Sequence, residues 1–201
     1  VYLCCMAKNS NKKPVTGHPV RPQPQAQKQK ATISAKAATD PFSKPSVQAM
    51  IVAGIGLVTW LFLNACLDNQ LTNWDDPGYI RDNPLIKDLS SEGLKRIFSE
   101  PVMGNYHPIT ILTYAIDYSY VRLEPWLYHL DSLLFHIGGT LLVYWLALLL
   151  TKKPVAAIIT SLLFGLHPMH MESVAWLAGR KDVVYGPVSY THLRAHETRE
   201  D

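Results

Sequence analysis

The chain has 201 residues, of which 48% are hydrophobic and 17% are charged, and its formal net charge is +3. Ordinary soluble domains carry about 25% charged residues, and long uncharged apolar runs follow a basic start here. This composition excludes a plain soluble enzyme and a chain disordered throughout. It predicts a membrane protein with a basic N-terminal tail.

Residues 1–49 form that tail, which is rich in Lys, Pro, Gln, Ala, Ser and Thr and holds eight basic residues and one acid. Such a stretch buries too little apolar surface to offset its loss of conformational entropy, so we predict disorder. The tail lacks interleaved aromatic residues, and we expect no nucleic-acid partner. We interpret Met6 as the translation start and residues 1–5 as upstream translation.

Three apolar segments follow, at residues 50–67, 125–150 and 154–178. A bilayer core of about 30 Å requires about 20 helical residues, so the third segment crosses only if its polar outer end is included. Lys and Arg favour the cytoplasmic side of a membrane. Because the tail and the turn at Lys152 and Lys153 are basic, we predict three spans with a cytoplasmic N-terminus.

The long loop of residues 68–124 carries nine acidic and five basic residues and is predicted to lie outside. Residues 179–187, an outer loop or the start of the next helix, emerge on the same face. Ser90 or Ser91 is expected to cap a short helix in the loop, and Pro108 to open another. An apolar stripe on this second helix is predicted to pack against the membrane domain: Ile109, Leu112, Ile116 and Tyr120.

Asp75 and Asp76 follow the first span closely, and adjacent carboxylates at that place have three interpretations. One carboxylate can be a general base that the other activates. Both can bind a divalent cation. They can also simply begin the turn at Pro77 and Gly78, which the spacing alone favours.

A second polar cluster lies at the end of the third apolar segment and comprises His167, His170, Glu172, Arg180 and Asp182. Two His and a Glu are a possible zinc set. Alternatively, Arg180 donates to phosphate oxygens in an anion or proton-relay site. A polar helix end satisfied by water is the favoured interpretation from spacing alone.

The second apolar segment contains His129, Asp131 and His136. Together with Ser132, Gly139 and Thr140, the two histidines lie near one helical face. A stripe of small and polar residues is first a helix-packing face. Ionisable groups inside a span are nevertheless costly and therefore suggest function.

The last residues, 188–201, are set aside as an artefactual tail. Residues 188–198 resemble one reading frame of a widely used transposase sequencing adapter. We therefore expect the natural sequence to be cut near Pro187, and we assign no metal or catalytic role to His192, His196 or Glu197.

The block of residues 163–182 resembles the signature of the transmembrane and tetratricopeptide-repeat O-mannosyltransferases and their bacterial relatives. That signature is His-Pro-x-His-x-Glu-[Ser/Ala]-Val-Ala followed by [Gly/Glu]-Arg-x-Asp. Asp75–Asp76, residues 106–110 and residues 128–130 fit the pattern in the same order. The resemblance runs from about residue 50 to residue 187.

This resemblance implies the N-terminal part of a polytopic all-α domain of the GT-C membrane glycosyltransferase class, with about three spans and a helical first outer loop. It implies a polyprenyl- or dolichyl-phosphate sugar donor, a protein acceptor and no required cofactor or metal. Asp75 or Asp76 becomes the candidate base. The candidate substrate-binding residues are His107, His170, Glu172, Arg180 and Asp182, with His129 as a weaker candidate.

The function so implied is transfer of a sugar, with mannose as the candidate, to a protein hydroxyl on the outer or lumenal side. The fragment itself is expected to be inactive. A bacterial plasma membrane is favoured over the endoplasmic reticulum, because Glu172–Trp176 and Arg180–Asp182 resemble the bacterial relatives more closely. The alternative function is a non-catalytic membrane anchor for a tetratricopeptide-repeat scaffold.

Overall fold

A computed structural model describes residue 42 and residues 44–186, and the regular elements in this part of the chain are all helical. The prediction of an all-α membrane protein is confirmed. Short 3-10 or π-helical turns cover Asn64–Asp68, Pro77–Arg81, Leu85–Lys87 and Leu177–Gly179. The longer helices are α1 (Pro45–Leu63), α2 (Ser91–Ile97), α3 (Pro108–Val121), α4 (Pro125–Thr151), α5 (Pro154–Gly165), α6 (Pro168–Ala175) and α7 (residues 180–186).

Proline opens five of these helices, because its fixed φ suits the first turn, where its missing N–H has no intrahelical partner in any case. Helix α1 thus begins at Pro45 rather than at residue 50, so residues 45–49 are helical and not part of a disordered tail. The predictions for residues 1–41 and 188–201 lie outside the described residues.

Two segments are long and apolar enough to cross a membrane, Pro45–Asp68 and Pro125–Thr151. Helices α5 and α6 pass the same test only as a pair, bent by 52° between Gly165 and Pro168. The bend has a local cause, since the residue before a proline is pushed out of the helical region, and His167 is extended at φ −68° and ψ 131°. The described residues therefore hold two candidate spans, or up to three if the bent pair is one span.

Helices α1, α4 and α5 pack together along an interface of small and apolar side chains. Gly165 ends α5 at the closest approach, where an added Cβ would stand 2.8 Å from Cγ2 of Thr140 and 3.2 Å from Oγ1 of Thr59. The buried hydroxyls of Thr59 and Thr140 donate to carbonyls of their own helices at 2.9 Å. Their hydrogen bonds are thus satisfied without a partner from another helix.

The loop of residues 68–124, called the outer loop after its predicted location, has its own hydrophobic core, which joins the short loop turns to α3, to the start of α4 and to the Leu177–Gly179 turn. Ser90 caps α2 by accepting from the N–H of Gly93 at 3.2 Å, which decides between the two predicted caps. The buried members of this core are Tyr79, Ile80, Leu85, Ile86, Ile97, Val102, Ile111, Tyr114, Ala115, Tyr128, Leu177 and Ala178.

The predicted packing stripe of α3 holds only at Leu112, which is partly buried against the core of this loop. Ile109, Ile116 and Tyr120 are exposed, and the helix instead buries Ile111 and Tyr114. The buried face also carries Asp117, whose ion pair draws that side of the helix inward. A count of apolar residues could not detect this, because both faces of α3 contain apolar side chains.

Candidate functional site

Asp75 and Asp76, although adjacent, have different environments. Asp76 is buried, and its Oδ2 accepts from the backbone N–H of Thr72 at 2.7 Å and from the Thr72 hydroxyl at 2.9 Å. Its Oδ1 accepts from the N–H of Ala178 at 3.0 Å. Both carboxylate oxygens thereby accept hydrogen bonds from the chain itself. Asp76 thus links the outer loop to the Leu177–Gly179 turn.

Asp75 is half-buried, and its side chain makes no hydrogen bond or ion pair with the described residues. Its backbone carbonyl accepts from the N–H groups of Gly78 and Tyr79, which begins the π-helical turn. The turn interpretation therefore describes the backbone of Asp75 and leaves its carboxylate available. Of the two candidate bases, Asp75 is the one whose oxygens are open to a ligand.

The bond between Asp76 and Ala178 joins residues 102 positions apart. A second tie between the same regions runs from the Asn69 side-chain amide to the carbonyl of Ala175 at 3.4 Å. The two polar motifs of the sequence thus contact each other in the folded chain.

Arg180 is fully buried and forms the most connected polar cluster in the described part of the chain. Its guanidinium makes a 2.7 Å ion pair with Asp117 and lies 4.5 Å above the ring of Tyr114. It also donates to Ser132, Thr113 and the carbonyl of Tyr128 at 2.6 to 3.1 Å. The guanidinium is thus surrounded by groups of the chain itself, and the expected phosphate-binding role stays a prediction.

Asp117 completes this cluster and was not singled out from the sequence. Burial raises the pKa of its carboxyl to about 7, against the attraction of Arg180, and nearby Asp131 raises this pKa further. The signal was present, since an acid stands within an otherwise apolar helical stretch, but its partner lies 63 residues away. Tyr114 extends the cluster by donating its hydroxyl to the carbonyl of Leu177.

The remaining predicted site residues fall at separate places. His107 lies at the start of α3, where its Nδ1 is 3.4 Å from the hydroxyl of Tyr185 on α7. His129 is buried in α4, near enough to interact with the charge of Asp76. Glu172 is exposed on α6, and its side chain has no hydrogen bond with the described residues.

His170 and Asp182 come together as walls of one cavity. The ring of His170 lies 4.2 Å from the ring of Phe164, measured between centroids. The carboxylate of Asp182 is 3.5 Å from the hydroxyl of Ser173. His136, from the polar stripe of α4, lines the same cavity. Within the part of the chain that is described, no three His, Cys, Asp or Glu residues are arranged to hold a metal ion.

Comparison with known proteins gives a consistent set of relatives. The chain is 32% identical over 142 residues to "Protein O-mannosyl-transferase TMTC3" of Homo sapiens, which covers 65% of this chain and 15% of the relative. It is 37% identical over 82 residues to "Protein O-mannosyl-transferase tmtc2" of Xenopus laevis, covering 41% of this chain and 10% of that protein.

A third relative is "Protein O-mannosyl-transferase Tmtc1" of Drosophila melanogaster, 32% identical over 96 residues, or 46% of this chain and 11% of the relative. No family model matches the chain, and no solved structure matches it. The chain therefore spans about one seventh of the length of the first of these relatives.

Proposed function

We propose, on the premise that this chain is a homologue of the TMTC protein O-mannosyl-transferases, that the membrane protein carrying it is a glycosyltransferase. It transfers a hexose, with mannose as the first candidate, from a polyprenyl- or dolichyl-phosphate donor to a hydroxyl of a protein acceptor. The donor lipid lies in the bilayer that α1 and α4 cross. The acceptor approaches from the side of the outer loop.

The observation that carries this proposal is the difference in hydrogen bonding between the side chains of Asp75 and Asp76. Asp76 is fastened by three hydrogen bonds, whereas Asp75, next to it, has a free carboxylate. A general base needs a carboxylate that substrate can reach and that the fold holds still. The hydrogen bonds of Asp76 hold this part of the loop still, and the carboxylate of Asp75 is the general base.

In the proposed reaction the acceptor oxygen attacks the anomeric carbon of the sugar as the bond from that carbon to the phosphate oxygen breaks. The electron pair of the broken bond goes to the phosphate, and the acceptor proton goes to Asp75. Protein hydrogen-bond donors stabilise the leaving phosphate, so the proposal requires no metal or other cofactor.

Arg180 has an indirect part in this proposal. Its buried contacts hold the segment that follows α6 against α3 and α4, and the N–H of Ala178 in that segment binds Asp76. Arg180 is therefore a positioning residue rather than a phosphate ligand. His107, His170 and Asp182 remain candidates for contact with substrate, with Glu172 and His129 as further candidates.

We also propose the sidedness and the location. The basic residues at Lys152 and Lys153 lie in the turn between α4 and α5, which we place in the cytoplasm together with the N-terminus. The outer loop then faces the outside of a bacterial plasma membrane, which the sequence favours, or the lumen of the endoplasmic reticulum. Because the matched segment is a small part of each relative, we expect residues 1–187 alone to be inactive.

The test compares three single variants of the full-length membrane protein, assayed with a polyprenyl-phosphate hexose and an acceptor peptide. Asp75→Asn should lower kcat by about 10²- to 10⁴-fold, the usual contribution of a general base, with unchanged membrane insertion. Asp76→Asn should lower both kcat and stability, because it disturbs three hydrogen bonds. The matched control, Asp82→Asn, changes an exposed carboxylate of the same loop and should be neutral.

Equal activity of the wild-type protein and the Asp75→Asn variant would reject Asp75 as the base. No transfer by any of these proteins, despite correct insertion, would favour the alternative function as a non-catalytic anchor for a tetratricopeptide-repeat scaffold.

A further inference from the structure

A cavity of about 190 Å³ lies between α4, α5, α6 and α7, apart from the Asp75–Asp76 pair. Liquid water occupies about 30 Å³ per molecule, so the cavity has the volume of about six waters, which suits one monosaccharide ring. The residues that matter for its chemistry are Phe135, His136, Phe164, His170, Ser173 and Asp182.

His136 gives the cavity a fixed hydrogen-bond acceptor. The residue is only 2% exposed, and its Nε2 is 3.0 Å from the carbonyl oxygen of Gly165. A carbonyl oxygen only accepts, so Nε2 carries a hydrogen, and in the neutral ring Nδ1 is then the lone-pair acceptor. Nδ1 has no hydrogen-bond partner among the described residues, so it is available to a donor from a ligand or a water.

Asp182 adds a second acceptor. Its carboxylate is 3.5 Å from the Ser173 hydroxyl, and both residues line the cavity. Phe164 and His170, with ring centroids 4.2 Å apart, supply a flat aromatic wall, and Phe135 supplies an apolar one. The cavity thus combines hydrogen-bond acceptors with ring faces on which the C–H groups of a ligand can pack.

These features select a class of ligand. A phosphate has acceptor oxygens and negative charge, and it would meet the lone pair of His136 Nδ1 and the carboxylate of Asp182. An isoprenoid chain would leave the same polar groups without hydrogen-bond partners, which is costly. An uncharged ring with several hydroxyl donors on one side and C–H groups on the other satisfies both kinds of wall.

We infer that this cavity binds the hexose ring of the substrate, through hydroxyl donation to His136 and Asp182 and packing of the ring against Phe164. The inference rests on the proposed transferase function and adds a sugar subsite to it. The cavity is also linked to Asp76, the neighbour of the candidate base Asp75. Gly179 packs against Ser173, with its Cβ position 3.2 Å from the Ser173 Cα, and neighbouring Ala178 binds Asp76.

The test places a reporter cysteine in the cavity of the full chain in lipid vesicles, with Cys4→Ser, Cys5→Ser and Cys66→Ala to remove the other thiols. Gly139 lines the cavity, and a Cβ there meets nothing within 4 Å, so Gly139→Cys fits without a shift. Gly138→Cys is the matched control, since Gly138 has the same open space outside the cavity lining. A small membrane-permeant thiosulfonate labels either thiol.

Methyl α-mannopyranoside at ten times its Kd should slow labelling of the Gly139→Cys variant about tenfold, because the occupied fraction is protected. The control should label at an unchanged rate. Asp182→Asn in the same background should weaken the protection, while inorganic phosphate should not protect. Protection by inorganic phosphate would overturn the inference. A failure of every sugar to protect the thiol would overturn it as well.

Two further ligands identify the source of the hexose. Protection by a polyprenyl-phosphate hexose at lower concentration than by an O-mannosyl peptide would assign the cavity to the donor sugar, and the reverse order would assign it to the product. This binding assay does not depend on turnover. Protection without transfer would therefore support the subsite and reject the proposed function, whereas transfer without protection would do the opposite.

Discussion

The buried acids of the outer loop and the hydroxyls of the membrane helices make hydrogen bonds over very different distances along the sequence. In the membrane helices, the hydroxyls of Thr59, Thr140 and Ser161 donate to carbonyls three or four residues earlier in their own helix. In the outer loop, Asp76 and Asp117 bind partners 102 and 63 residues away. The apolar helices are thus held mainly by packing, whereas the candidate site is positioned by long-range polar ties.

The largest expected effect on stability comes from breaking the buried ion pair between Arg180 and Asp117. Arg180→Met leaves Asp117 buried without its cation and should destabilise the outer-loop core by about 3–5 kcal/mol, as for other broken buried ion pairs. Thermal unfolding of the purified protein in nanodiscs measures this loss. The double variant Arg180→Met/Asp117→Leu should recover part of the stability. A double variant no more stable than Arg180→Met would show that the charge of Asp117 is not the cause.

A smaller effect is expected from disturbing the packing of the membrane helices. Gly165→Ala puts a Cβ 2.8 Å from Cγ2 of Thr140, and relieving this overlap should cost about 1–3 kcal/mol. Gly138→Ala is the matched control, because its Cβ meets nothing within 4 Å and alanine favours the helix. The same unfolding assay compares the two. Equal stability of both variants would contradict the close contact at Gly165.

The pH dependence of stability sharpens the comparison, because one buried loop carboxyl has a raised pKa. Asp117 has a pKa of about 7 in the folded chain and about 3.9 when unfolded, so the folded state holds its proton more tightly. Its contribution is fully present below pH 4 and is lost as the pH rises through 7, by at most about 1.4 kcal/mol per pH unit. The slope of stability between pH 5 and 7 should flatten in Asp117→Asn. An unchanged slope in that variant would assign the pH dependence to other groups.

The smallest effect on stability is expected from removing a local hydrogen bond in the same loop, the cap of α2. Ser90→Ala removes the cap of α2 and should cost about 1 kcal/mol. Ser91→Ala is the control, because the hydroxyl of Ser91 is not the one that caps the helix. Hydrogen exchange of the N–H of Gly93 measures the change directly. Equal exchange in the two variants would reject the capping role of Ser90.

Much of the architecture follows from local signals in the sequence. Long uncharged apolar runs indicate the candidate spans. Pro108, Pro125, Pro154 and Pro168 each begin a helix. The bend before Pro168 follows from the same chemistry. The pattern was less informative for α3, because apolar residues lie on two of its faces and the ion pair of Asp117 selects which one is buried.

The candidate site likewise has features that the sequence determines and features that depend on the tertiary structure. The sequence by itself determined which polar residue types stand in the motifs, among them Asp75, Asp76, His170 and Asp182, because a motif is a local property. It could not tell which of the two adjacent aspartates has its oxygens occupied, or that Arg180 is buried against Asp117. Only the tertiary structure decided those contacts, because hydrogen-bond partners and burial are set by residues that are distant in sequence and close in space.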